Sequence, residues 1–264
     1  GQKGRGAIET HTGQSVIANN VTDGYYTAVN AQSSELNEVK SDITISNNTI
    51  VNANQGIQLW GYHNNPIAHV TVTGNTISLA NTYHKRYLCT GISSGGSYET
   101  TAFNNLTITD NTILFEEELE VRVGIVESTV GGIRFTSTTP NTNFIISNNI
   151  IKNSPLTGIL IGSGSMEAKV SNILISGNLL ENCGHYPAKE TKYKSGIMVR
   201  SQVTGVKISN NIISDRYDEV RAAYAIRMSE EDGVYKDVQV NDNLVSTNAG
   251  ELSLELASNI QSRA

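Results

Sequence analysis

One short pattern returns along the whole chain and narrows the folds open to it. It reads ITISNNTI (43–50), VTVTGNTI (70–77), LTITDNTI (106–113), FIISNNII (144–151), ILISGNLL (173–180), VKISNNII (206–213) and VQVNDNLV (238–245), with a degenerate SVIANNV (15–21) ahead of them. Each copy is a run of alternating β-branched residues, then Gly, Asn or Asp, then Asn, then a second short run. Alternation with period two is the mark of a strand with one face buried. Asn, Asp and Gly tolerate left-handed backbone and bond to nearby main chain, so the pair between the runs is a corner. Its second member is Asn20, Asn48, Asn75, Asn111, Asn149, Asn178, Asn211 and Asn243. Stacked one coil apart, at about 4.8 Å, these amides can bond to one another along an axis, as side-chain amide ladders do in cross-β structures.

A second strand follows each corner and opens on a small residue and an aliphatic one. It occurs as Ala7-Ile8, Ala28-Val29, Gly56-Ile57, Gly91-Ile92, Gly132-Ile133, Gly158-Ile159, Gly196-Ile197 and Ala225-Ile226, and Leu252 fits at the end. Gly124-Ile125 is a rival placement for the fifth coil. From the small residue to the next corner Asn the chain takes 13 residues in the first coil and 15 to 20 thereafter. From corner to small residue it varies widely, reaching 21. One arc of the coil is therefore nearly fixed and the other accepts insertions. Helical repeats of similar period carry Leu and Ala at spacing 3.6 and are excluded, and a propeller needs four antiparallel strands per repeat. The expected fold is all-β: a right-handed parallel β-helix of about eight coils with an Asn-rich corner ladder, in one domain over 1–264. The pattern is under way by residue 8 with no cap before it, so a fragment of a longer chain is expected.

Composition agrees with a thin axial core. Asn supplies 29 of 264 residues, and charged residues are 17%, against about 25% in an average domain. The net charge of −6 provides no footprint for nucleic acid. Cys89 and Cys183 lack metal-ligand spacing and read as buried free thiols. No apolar run reaches the length of a membrane span, and the start lacks a signal-peptide pattern. No metal site or cofactor is expected.

In a solenoid, insertions gather on one face, often the binding face. Here they are 79–90, 114–131, 181–195 and 214–224, all entering the small-aliphatic strand. With each Ile or Val inward, that strand's first outward column is Glu9, Asn30, Gln58, Ser93, Arg134, Leu160, Met198, Arg227 and Ser253. The second is His11, Gln32, Trp60, Gly95, Thr136, Gly162, Arg200, Ser229 and Glu255. Trp60, with Tyr62 and His63 just after it, suits stacking on a sugar ring; its alternative is packing against a loop or a neighbouring subunit. Gln58, Arg86 and Arg134 are expected beside it as binding groups. Glu9 and His11 share a face two residues apart and form a candidate acid–base pair. Glu127, near the run Glu116, Glu117, Glu118 and Glu120, is a third catalytic candidate, since a glycosidase needs two carboxyls. The apolar stretch around Leu160 and Met198 has a subunit contact as its rival reading.

The repeated corners and strands just quoted resemble the pectate-lyase-like family of parallel β-helices, in the style of bacteriophage tailspike and appendage proteins. The resemblance covers essentially the whole chain. It implies binding and cleavage of a bacterial surface polysaccharide, a homotrimer, and a place on a virion tail or outside the cell. Rival readings are a secreted lyase or epimerase and a non-catalytic adhesin or stalk. The Asp-Asp pair and Gly-His-Gly of polygalacturonases, the Asp-Pro-His-Glu of alginate epimerases and the acidic calcium cluster of pectate lyases are absent, so those activities do not carry over.

Overall fold

The computed structural model describes residues 6–11, 13–32, 41–60, 67–80, 89–95, 102–116, 130–136, 139–163, 165, 167–186, 191–218, 222–248 and 252–263. Alternating β-branched runs cannot bury two opposite faces of a helix, but a strand hides one face by joining its equivalents in neighbouring coils. Three parallel sheets result. The first holds Gly6–Thr10, Thr27–Gln32, Gln55–Trp60, Thr90–Gly95, Gly131–Phe135, Ile159–Ile161, Ser195–Val199, Tyr224–Met228 and Ser253–Leu256. The second runs from Val16–Ala18 to Gln261–Arg263, and the third from Val21–Asp23 to Leu244–Thr247. Successive strands fall in the first, second and third sheet in turn, which is a parallel β-helix of eight complete coils and the start of a ninth. Parallel crossovers of this kind are right-handed.

The register fixes the inward columns. In the first sheet Ile8, Val29, Ile57, Ile92, Ile133, Ile159, Ile197, Ile226 and Leu254 stand one above another. Gly132-Ile133, not Gly124-Ile125, is thus the start of the fifth coil. Ile50, Ile77, Ile113, Ile151, Leu180 and Ile213 form the third sheet's column. Each such Ile or Leu contributes about 1.5–3 kcal/mol by leaving water. Phe135 meets Phe103 and Phe144 edge-on at centroid distances of 5.3 and 5.2 Å, widening the core in coils 4 and 5.

At every corner the residue before the recurring Asn has φ between 53° and 67°: Asn19, Asn47, Gly74, Asp110, Asn148, Gly177, Asn210 and Asp242. The Asn itself turns inward. From Asn20 to Asn211, each donates through Nδ2 to the Oδ1 of the next coil's Asn at 2.9–3.0 Å. The same Oδ1 accepts the preceding Asn's main-chain N–H. From Asn48 onward Nδ2 also donates to a carbonyl of the preceding coil, such as that of Val72 for Asn111. The buried amides are therefore satisfied from both sides.

Candidate functional site

Pairing in the first sheet sets Glu9 beside Asn30, Asn30 beside Gln58, and Gln32 beside Trp60. The side chains form a hydrogen-bonded chain. His11 Nε2 lies 3.0 Å from Glu9 Oε1, and Asn30 Nδ2 donates to Glu9 Oε1 and to Gln32 Oε1, each at 3.3 Å. Glu9 and His11 are about half exposed, at 49% and 52%. Trp60 and Gln32 are half-buried, whereas Gln58 is only 5% exposed. Coils 1 to 3 thus carry one polar patch with an indole at its edge. Its titratable groups among the described residues, Glu9 and His11, are already in contact.

Farther along, the outward columns are closed over. Ser93, Leu160, Met198, Arg200 and Arg227 are all buried. Tyr193, in a short 3₁₀ turn at Thr191–Tyr193, lies over this part of the sheet. Its hydroxyl accepts a bond from Arg200 Nη1 at 2.9 Å, and its carbonyl accepts one from Thr157 Oγ1 at 2.9 Å. Leu160 and Met198, both 0% exposed, are covered within the chain and offer no subunit contact. Arg134 is half-buried, and burial together with the Arg200 charge pushes its guanidinium down to about 10. Tyr62, His63, Arg86 and Glu127 lie outside the described residues, as does most of the insertions 79–90 and 114–131.

The last coils hold a charged knot. Arg227 reaches Asp232 Oδ2 at 2.8 Å, Glu255 Oε2, and the face of Tyr224 at 4.8 Å. Glu255, not Ser253, occupies the first outward column, because pairing slips by one residue between Tyr224 and Ile226. The two carboxylates are occupied by the guanidinium, which makes this a structural clamp. Among the described residues no group of three His, Cys, Asp or Glu side chains is placed to hold a metal. Cys89 and Cys183 are free and buried, and desolvation pushes both thiols up to about 12.

The second sheet contains a feature that the strand pattern alone did not reveal. Gln14, Asp42, His69, Asn105, Asn143, Asn172, Gly205 and Asp237 all have positive φ, between 51° and 66°. Each stands five positions before the left-handed corner residue, so a second bend repeats in register. Pairing runs past the bend, as in Asn104 with Thr142 and Leu106 with Phe144. Over it lies an open groove with two adjoining parts of about 540 and 500 Å³, which share Asn105 and Thr107. One part includes Asn143, Ile145, Asn172 and Leu174; the other includes Asp42, Thr44, His69 and Thr71. Asn143 Nδ2 donates to Asn104 Oδ1 at 2.8 Å, and Asn172 Nδ2 to Asn143 Oδ1 at 3.1 Å. The detectable signal was the fixed five-residue offset of a second Asn, Asp, His or Gly column from the corner.

Comparison with known proteins agrees with this architecture. The family profile described as "right handed beta helix region" matches residues 2–175 and, in an overlapping second match, 125–261. A search of the curated proteins finds no match. Among the described residues no helix is long and apolar enough to cross a membrane.

Proposed function

This chain belongs to the right-handed β-helix family, and on that premise we propose that it binds a bacterial surface polysaccharide through the first-sheet patch of coils 1 to 3 and cleaves it there. The supporting observation is the junction of the Glu9–His11 pair, at 3.0 Å, with Asn30, Gln32 and the half-buried Trp60 in adjoining columns. Asn and Gln amides suit sugar hydroxyls, and the indole suits the apolar face of a pyranose. Glu9 accepts the imidazole N–H and so orients His11, whose other nitrogen is left to move a proton at the scissile bond. In this reading the protein works on a virion tail or in the extracellular space, as a homotrimeric appendage whose mass under native conditions would be three times that of the chain.

The test is incubation of the purified chain with capsular and O-chain polysaccharides, following reducing ends and ultraviolet-absorbing unsaturated sugars. Reducing ends without unsaturation mark a hydrolase; unsaturated ends mark a lyase. Glu9→Gln and His11→Gln are expected to stop release while glycan is still retained. Trp60→Ala should weaken retention about three- to tenfold. Release unaffected by both the Glu9 and His11 changes would sink the catalytic assignment. A second reading, a non-catalytic binder, is favoured by the single carboxylate, Glu9, in the described patch, since glycosidases use two. Retention without release from any glycan would establish it.

A further inference from the structure

We infer that the lengthwise bend of the second sheet is a separate glycan groove, shaped for an uncharged polysaccharide chain lying along the solenoid axis. This rests on the chain being a glycan binder, but not on the first-sheet patch. Left-handed backbone at the bend turns Asn105, Asn143 and Asn172 out of the sheet in consecutive coils, and all three are exposed. Two positions later the alternation brings Thr107, Ile145 and Leu174 outward as a floor, with Ile145 43% exposed.

Amides above a partly aliphatic floor match the two faces of a pyranose, with equatorial hydroxyls at the edges and C–H bonds on the flat. Asn143 is engaged on both sides, to Asn104 and from Asn172, so the Asn143 and Asn172 amides are held in place before a ligand arrives. No bond within the protein occupies the Asn105 amide among the described residues. The coil-to-coil rise of about 4.8 Å is close to the length that one sugar unit adds to a chain, so over coils 4 to 6 one bend Asn per coil meets successive units.

The charges select the class of chain. Among the described residues the groove lining contains no Lys or Arg. Its titratable side chains among the described residues are Asp42 and His69, which face each other at 3.5 Å. A uronic-acid, sulfated or phosphorylated polymer would meet the Asp42 carboxylate within the lining, with Lys207, paired with Leu174, standing just past its coil-6 end, on a protein of net charge −6. An uncharged chain meets no such barrier.

The test is affinity electrophoresis of the whole 264-residue chain. Native gels are cast with dextran, mannan or xylan, and with alginate or polygalacturonate, and mobility is normalised to a glycan-free gel. Retardation is expected with at least one uncharged polymer and not with the acidic ones. Ile145→Asp, at an exposed position that the core does not need, should weaken it about tenfold while the far-ultraviolet circular dichroism stays unchanged. Asn143→Ala should weaken it in the same direction. No retardation in any uncharged gel, or retardation in the acidic gels alone, would overturn the inference. So would retardation lost in Trp60→Ala but kept in Ile145→Asp, an outcome that leaves the first-sheet patch standing.

Discussion

Asn111 illustrates why the corner residue is Asn and nothing else. It is fully buried, donates to the Val72 carbonyl and to Asn149 Oδ1, and accepts two N–H bonds from Asn75. Gln is too long for this rung, and Asp lacks the donors. Asn111→Ala should lower unfolding free energy by about 3 kcal/mol, because it strands several buried polar groups at about 1–3 kcal/mol each. Asn20→Ala, at the half-buried first rung, should cost only about 1 kcal/mol. Equal urea midpoints for the two variants would contradict this account of the ladder. The corner was legible in the sequence because only a few residue types accept its backbone. The second bend obeys the same chemistry at Asp42, His69, Asn105, Asn143 and Asn172. It was concealed because Thr or Asn at a strand's outward position looks the same as Asn at a kink.

At the level of the strand, the small-aliphatic pair records a steric limit. A Cβ added to Gly132 would come within 2.6 Å of Ile151 Cγ2 and 2.7 Å of the Gly158 carbonyl oxygen. This is where the first and third sheets close on each other. Gly132→Ala is expected to cost about 1–3 kcal/mol by overpacking, read as a fall in thermal midpoint with the sheet signal in circular dichroism retained. No fall would show that the neighbouring coils can spread. Alternation put Gln58, Arg134, Leu160, Met198 and Arg227 on one outward column, and the register places them there. It said nothing of what lies above them. Tyr193 is distant in sequence from Leu160 and arrives over the sheet only through the 3₁₀ turn, and such long-range cover has no period to detect. The last coil's one-residue slip between Tyr224 and Ile226 escaped for a related reason, since a bulge alters register without altering residue type.

Over the whole molecule each coil touches only its neighbours, so stability is close to a sum of coil and interface terms. The ends have one neighbour fewer: Ile8 is incompletely buried and Leu254 is 50% exposed, whereas the inward residues of coils 3 to 7 are close to fully buried. Native-state hydrogen exchange should therefore find amides of Phe103–Thr109, Asn141–Ser147 and Lys169–Ser176 at least about tenfold more protected than those of Gly6–Thr10 and Ser253–Leu256. Uniform protection along the axis would mean one all-or-none unit instead. The sequence by itself determined the solenoid, the inward columns of its first eight coils and the Asn ladder, because each depends on residues one coil apart and repeats until it stands out; at the last coil it pointed to Leu252, where the register puts Leu254. It also put Glu9, His11 and Trp60 on one face. Only the tertiary structure decided which parts of that face stay open, and only it bent the second sheet into a groove. Exposure depends on what packs above a residue from elsewhere in the chain, and a bend depends on backbone dihedrals that several residue types share.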